Sequence, residues 1–338
     1  MDLEERMALV ARGTEEILVE EELKTLLFKK DHPRVYVGYE PSGPFTIGQL
    51  VTVRKVLDLE KAGFETTVFL ADLHAFINDK LGGSMERIRE AGENMESLFR
   101  SMGAGDSVKF AWASDLSDSK VYLSRVLKVA KAMSLARVKR AMSIMGRKEE
   151  DVELDAAKLF YPPMQVSDIF ELGVDVAYGG IDQRRAHVLA REVAQHYDWP
   201  VPIALHTPLI SSLKGGGRMD AQGEGVMERK MSKSDPTSAI YVTDREETVR
   251  GRIMKAYCPP MEVEGNPVVE LAQHLLFPWQ GRLAIERSPQ HGGNLEFTAP
   301  AEFLESWKGG KIHPMDLKGA VASAIVQILK PVKKVATS

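Results

Sequence analysis

Two lysines three residues apart, Lys230 and Lys233, enclose Met231 and Ser232 and are followed by Ser234. The run comes after the glycine-rich stretch holding Gly215, Gly216, Gly217, Gly223 and Gly225. Ammonium groups on such a loop are suited to close over a polyphosphate. They bind phosphate as point charges and stabilise charge that develops in a transition state. An ordinary solvated lysine loop has the same composition, so the pattern gains meaning only beside other blocks.

A second block is Tyr161, Gln165 and Asp168, at positions i, i+4 and i+7. If the segment is helical after Pro162 and Pro163, all three share one face. Set among Met164, Val166, Ile169 and Phe170, they suggest a lined pocket; a partly exposed polar stripe is the alternative. A third block runs Gly179, Gly180, Ile181, Asp182, Gln183, Arg184, Arg185. It lies at a strand end and helix start, where carboxylates take ribose hydroxyls or cap the helix. A fourth, Thr46-Ile47-Gly48-Gln49, follows the turn at Pro41-Ser42-Gly43. Helix N-termini favour phosphate, and Gly48 permits close approach to the backbone. Near the C-terminus, His313-Pro314-Met315-Asp316 reads in isolation as the start of a final helix.

The elements that position these blocks alternate. Helical patterns are expected at 4–30, 46–62, 84–102, 117–146 and 182–196, and strands at 34–39, 65–71, 108–113 and 174–178. Alternation of this kind implies an α/β fold with a parallel sheet flanked by helices. Beyond residue 244 the chain reads as mostly helical, giving a catalytic domain at 1–243 and a second domain at 244–338. An insertion is expected at about 114–160 and a signature loop at about 211–236. Arg125, Lys128, Lys139, Arg140 and Arg147 fall roughly on one helical face, suited to track phosphates or simply to meet solvent.

Bulk properties exclude several classes. The formal net charge is -4, so any nucleic-acid contact uses local basic patches. A single cysteine, Cys258, rules out an intrachain disulfide; with no leader-like N-terminus, a cytoplasmic setting is expected. No run of apolar residues is long enough to span a membrane as a helix. The eight histidines form no His-Glu-x-x-His pattern, and no metal site is expected from the protein itself. A phosphate-binding Gly-x-x-x-x-Gly-Lys-Ser/Thr motif is also missing.

In combination and order, these blocks resemble the class I aminoacyl-tRNA synthetases, and within them the tyrosyl enzymes of archaeal and eukaryotic type. The run from Lys230 to Ser234 is identical to the Lys-Met-Ser-Lys-Ser signature of that class. Thr46 and Gln49 stand where the class has the two histidines of His-Ile-Gly-His; the related tryptophanyl enzymes have Thr-Ile-Gly-Asn there. The resemblance covers the chain from the N-terminal helix to about residue 333. It implies a Rossmann-type catalytic domain with a helical insertion, then a helical anticodon-binding domain.

The resemblance also assigns roles. Lys230, Lys233, Thr46 and Gln49 would serve catalysis, and Glu40, Gly48, Asp182, Met231, Ser232 and Ser234 would bind ATP, with Mg2+ held mainly by the nucleotide. Tyr161, Gln165 and Gln183 would hold the amino acid, and His74 would line the pocket; without the resemblance His74 reads as a structural residue. Tyr36, otherwise a core tyrosine, would join Asp168 in hydrogen-bonding the substrate phenol. Such a pocket rejects phenylalanine, because its buried polar groups would then go unpaired; tyrosyl enzymes are the known case of this selection. Arg184 and Arg185 would read the tRNA acceptor stem, and His313 and Asp316 the anticodon. The expected partners are L-tyrosine, ATP, tRNA(Tyr) and a second copy of the chain. Two rival readings are a tryptophanyl enzyme, which Tyr36 and Asp168 argue against, and a non-catalytic paralogue, which the lysine pair argues against.

Overall fold

The structure, a computed structural model, describes residues 1–145, 155–215, 231 and 237–335. By compactness the chain divides into two units, residues 1–43 with 55–207 and residues 44–54 with 208–338. The functional boundary expected at 243/244 falls inside the second of these.

The first unit is built on a six-stranded sheet. Its strands are β1 (Glu16–Ile17), β2 (Arg34–Tyr39), β3 (Glu65–Leu70), β4 (Lys109–Trp112), β5 (Val176–Gly180) and β6 (Ile203–Thr207). Their spatial order is β1-β6-β5-β2-β3-β4. β2 to β6 pair in parallel, and β1 adds an antiparallel edge on β6. The parallel strands thus follow the Rossmann order. The chain reverses direction of progress between β2 and β5, and ligands of open α/β sheets bind beyond the strand carboxyl ends at such a point. β2 is central because its residues are apolar on both faces: Val35, Tyr36 and Val37 are all buried, as expected of a strand covered on two sides.

Two expected elements differ. The helix expected at 4–30 is two helices, Leu3–Ala11 and Glu20–Lys29. Gly13 takes a positive φ of 64° between them, a conformation that ends a helix, and β1 follows. The long pattern at 117–146 is likewise broken, into Ala113–Ser117, Lys120–Lys131 and Leu135–Ala141. Ser119 and Ser134 cap the second and third by accepting backbone N–H bonds. Lys128 therefore does not share a helix with Lys139 and Arg140; Arg147 lies outside the described residues.

The second unit contains the helices Glu246–Lys255, Pro300–Lys308 and Pro314–Ile328. It also holds an antiparallel pair of β7 (Leu283–Ile285) and β8 (Leu295–Phe297) that the sequence reading lacked. Its core includes Val249, Ile253, Phe303, Trp307, Leu317, Val321 and Ile325. The Trp307 indole is fully buried and keeps its donor satisfied on the Glu262 carbonyl at 2.7 Å. No helix among the described residues is long and apolar enough to cross a membrane.

Candidate active site

The helix Tyr161–Glu171 begins with Pro162 and Pro163 in its first turn, where a missing N–H costs nothing and the fixed φ suits a helix. The i, i+4, i+7 face turns inward as expected: Tyr161 and Asp168 are buried and Gln165 is half-buried. The helix packs on Lys120–Lys131, whose inward face is Tyr122, Val126 and Val129.

Asp168 is buried, with 2% of its surface exposed. The Tyr122 hydroxyl donates to its Oδ1 at 2.7 Å. His74 Nε2 lies 3.2 Å from Oδ2, yet it is not aligned to donate, and both His74 ring nitrogens are buried without a hydrogen-bond partner. The Tyr161 ring stands edge-on to His74, centroids 4.9 Å apart and planes at 90°. Burial pushes the Asp168 carboxyl up to about 8 against a hydrogen bond from Tyr122 that lowers it, with Glu171 adding a smaller upward push. Burial also pulls His74 down to about 4. Tyr36, on β2 and also 2% exposed, has its phenol pushed up by burial and by the Asp168 charge. The buried wall is thus a carboxyl group ringed by Tyr36, His74, Tyr122 and Tyr161.

One turn back from Asp168, the Gln165 amide donates to Gln183 Oε1 at 2.9 Å. Its own Oε1 is buried with no hydrogen-bond partner. Gln183 arrives from the other side of the reversal point, on the short turn that follows β5. Gly179 makes this possible: a Cβ there would stand 3.0 Å from Gln183 Cβ and 3.3 Å from His187 Cε1. Glu40, just beyond β2, accepts from Asn78 Nδ2 at 2.9 Å and pairs with Lys80 at 3.4 Å. It also takes a hydrogen bond from the Tyr161 phenol, whose ionisation is strongly suppressed, first by burial and then by this carboxylate.

Of the six residues expected to hold tyrosine, the structure gathers Tyr36, His74, Tyr161 and Asp168 around one wall. It joins Gln165, on the same helix face as Asp168, to Gln183 on the turn after β5. Sequence reasoning missed Tyr122. It belongs to a stretch read as insertion and RNA face, and a tyrosine at a helix start carries no signal of its own. Also missed was a buried chain behind Gly179, in which His187 Nδ1 meets His206 Nε2 at 3.0 Å and His206 Nδ1 meets Glu16 Oε2 at 2.8 Å. Arg184, expected to face RNA, closes this chain by donating from Nε to Glu16 at 2.9 Å. Arg185 is exposed and Asp182 partly exposed.

In the second unit, Thr46 is buried, and its backbone N–H donates to Gln49 Oε1 at 3.0 Å. A segment ladder holds this start in place, with Ile47 N donating to Ile240 O at 2.8 Å and Val242 N to Phe45 O at 2.9 Å. A Cβ on Gly48 would meet Ile210 Cβ at 3.6 Å, Thr46 Oγ1 at 3.7 Å and Met231 Cβ at 3.8 Å, all ordinary contacts. Met231 itself is buried, its N–H donating to Ile210 O at 2.8 Å. Lys230, Ser232, Lys233 and Ser234 lie outside the described residues, as does most of the loop expected at 211–236. His313 caps the helix Pro314–Ile328, its Nδ1 accepting from Met315 N at 3.2 Å, while Asp316 sits partly exposed in the first turn. Among the described residues no three His, Cys, Asp or Glu side chains converge to hold a metal.

Comparison with known proteins agrees with this geometry. Residues 29–330 match the family of class I tRNA synthetases for tryptophan and tyrosine. The chain is 47% identical to the tyrosine–tRNA ligase of Aeropyrum pernix, with 98% of this chain and 93% of that protein covered. It is 43% identical to the tyrosine–tRNA ligase of Saccharolobus solfataricus over 99% of this chain and 93% of that one. Its fold is similar to a tyrosyl-tRNA synthetase from Archaeoglobus fulgidus solved with L-tyrosine, at a TM-score of 0.89 and 40% identity, covering 98% of this chain and 99% of that one. A tryptophanyl-tRNA synthetase from Aeropyrum pernix shares the fold at a TM-score of 0.70 and 19% identity, covering 93% of this chain and 81% of that one. With the Rossmann strand order, the buried carboxyl wall and these similarities together, the chain belongs to the class I aminoacyl-tRNA synthetases, in their tyrosyl branch of archaeal type.

Proposed function

We propose that the chain is a tyrosine–tRNA ligase that binds the amino acid between Asp168 and Gln165. The observation carrying this reading is a pair of buried acceptors on one helix face. Asp168 keeps one oxygen uncommitted beside His74, and Gln165 Oε1 has no hydrogen-bond partner. Residues one turn apart lie on the same helix face, so the two acceptors suit a substrate with a donor at each end, a phenol O–H and an ammonium. Buried polar atoms without partners cost about 1–3 kcal/mol each, a cost that binding tyrosine removes and binding phenylalanine only partly removes. Tyr36 and Tyr161 complete the phenol and ammonium ends, and Gln183 fixes the orientation of Gln165.

In this reading the tyrosine carboxylate attacks the α-phosphorus of ATP and pyrophosphate leaves. Positioning and charge stabilisation supply the acceleration. Gly48 supports ATP contact through its own neighbourhood: neither a positive φ nor crowding requires glycine there, so the bare backbone fits approach by a ligand. Lys230 and Lys233 would stabilise the leaving pyrophosphate, with Ser232, Ser234 and Met231 alongside, Glu40 and Asp182 on the nucleotide, and Thr46 and Gln49 at the phosphates. Magnesium would arrive with the ATP and screen its charge. A ribose hydroxyl at the 3' end of tRNA then takes the tyrosyl group and AMP leaves. Arg184 and Arg185 would meet the acceptor stem and His313 and Asp316 the anticodon. The exposed apolar residues Val121, Leu123, Leu127 and Leu135 support a homodimer contact, and a cytoplasmic setting fits the single cysteine.

The test is ATP–pyrophosphate exchange with each amino acid in turn, followed by charging of tRNA. Exchange with tyrosine supports the reading. Exchange with tryptophan alone overturns the specificity, and no exchange with any amino acid leaves a non-catalytic relative.

A further inference from the structure

How the two oxygens of Asp168 are divided decides what the buried wall can recognise. We propose that Tyr122 is a positioning residue for tyrosine selection: its hydroxyl fixes Oδ1 of Asp168 and leaves Oδ2 as the acceptor for the substrate phenol. This rests on the reading of Asp168 as the phenol partner given above.

Three observations carry it. The Tyr122–Asp168 hydrogen bond, 2.7 Å and buried, joins residues 46 apart in sequence. It joins the helices Lys120–Lys131 and Tyr161–Glu171 at Asp168 itself, beside the Arg125–Glu171 pair that also links them. Tyr122 is itself held from behind, because its backbone N–H donates to the Ser119 cap at 3.3 Å while Val126 and Val129 bury the same helix face. Finally, the donor from Tyr122 is on Oδ1, whereas Oδ2 faces His74 Nε2 at 3.2 Å without an aligned hydrogen bond from that ring nitrogen.

The groups facing Asp168 come from four elements. Tyr122 donates to it from the helix Lys120–Lys131, and Tyr36 comes from β2. His74 comes from the helix Asp72–Ile77, held neutral by burial. On its own helix stand Tyr161 and Glu171, the latter paired with Arg125 Nε at 2.9 Å. Of these, Tyr122 is the hydrogen-bond donor that favours the ionised carboxylate, acting against burial. A phenol substrate needs that carboxylate as an acceptor. Tyr122 therefore both aims the group and favours its charged form against burial.

The experiment is tyrosine-dependent pyrophosphate exchange with Tyr122→Phe, Asp168→Asn and the double variant, from pH 6.5 to 9.5. Tyr122→Phe is expected to raise the KM for tyrosine about 5- to 10-fold at pH 8, because a smaller fraction of Asp168 is then ionised and its Oδ1 is no longer held. Its kcat should stay within about twofold, and the pH at which KM falls should move up by roughly one unit. On the Asp168→Asn background the Tyr122→Phe change should add nothing. If Asp168→Asn keeps full preference for tyrosine over phenylalanine, the reading of the pocket fails. If that variant loses preference while Tyr122→Phe keeps the native KM and pH profile, or the two effects simply add, the role of Tyr122 is overturned. Should Tyr122→Phe not fold, the 13C resonance of Tyr122 Cζ in the intact enzyme decides. A titration step shared with the KM profile is expected, and a flat signal overturns the proposal.

Discussion

Replacing Asp168 by asparagine sets stability against selectivity, and the structure gives the sign of both. Burial lifts the Asp168 carboxyl from 3.8 to about 8. At about 1.4 kcal/mol per tenfold change in ionisation, the folded state disfavours this charge by on the order of 6 kcal/mol once the pH exceeds both values. Because the folded value is the raised one, the stability carried by the neutral group is present below about pH 4 and lost as pH rises through about 8. Asparagine never ionises, and its Oδ1 still accepts from Tyr122. Its unpaired amide costs about 1–3 kcal/mol, which leaves a net gain of a few kcal/mol above pH 8. A thermal unfolding midpoint should rise by roughly 5 °C or more, at about 2–4 °C per kcal/mol for a chain of this order of size. Selectivity should move the other way. Loss of a hydrogen bond to a charged acceptor, about 1.5–3 kcal/mol, lowers kcat/KM for tyrosine by about 10- to 150-fold while that for phenylalanine changes little. The assays are scanning calorimetry at pH 8.5 and pyrophosphate exchange with both amino acids. A variant that melts lower than the native chain and still prefers tyrosine as strongly would refute the reasoning on both counts.

Other consequences follow from single contacts. The KM for tyrosine in the native enzyme should fall as pH rises through about 8, as Asp168 becomes the carboxylate that accepts the phenol; a KM that stays flat or rises over pH 7 to 8.5 contradicts this. Gly48→Ala should leave the melting temperature within about 1 °C, because a Cβ meets only ordinary contacts at 3.6 Å and beyond. The KM for ATP should rise severalfold, and unchanged ATP kinetics would remove Gly48 from the nucleotide. Gly179→Ala should raise the KM for tyrosine severalfold with little loss of secondary structure by circular dichroism, because its Cβ would press on Gln183 at 3.0 Å. A crystal structure of this variant with Gln183 unmoved would refute the mechanism. Gly92→Ala places a Cβ 2.3 Å from the Trp112 ring and should destabilise the fold by about 1–3 kcal/mol, read by urea denaturation.

Much of the site was legible in the chain because its residues lie close together along it. Tyr161, Gln165 and Asp168 share a helix face by periodicity alone, and two prolines mark where that helix starts. The Gly179 to Gln183 turn and the Thr46 to Gln49 start are likewise local, a strand end or loop meeting a helix. The six-residue strands β2 and β3, with their β-rich runs, announce themselves in the same way. What was missed is non-local or weak in pattern. The strands β1 and β6 are two and five residues long, and β1 exists only as the antiparallel edge paired with β6. β7 and β8 hold three residues each and stabilise one another. Helix breaks at Gly13 and at the Ser119 and Ser134 caps outweighed an apolar stripe that continues across them. Which lone tyrosine touches a carboxylate depends on two helices crossing 46 residues apart, and that Arg184 binds Glu16 depends on a strand 168 residues earlier. Spacing along the chain determined which side chains share a face. Only the packing of those faces decided which buried oxygens are already satisfied and which remain for a substrate, because burial and partner choice are properties of surfaces brought together by the fold.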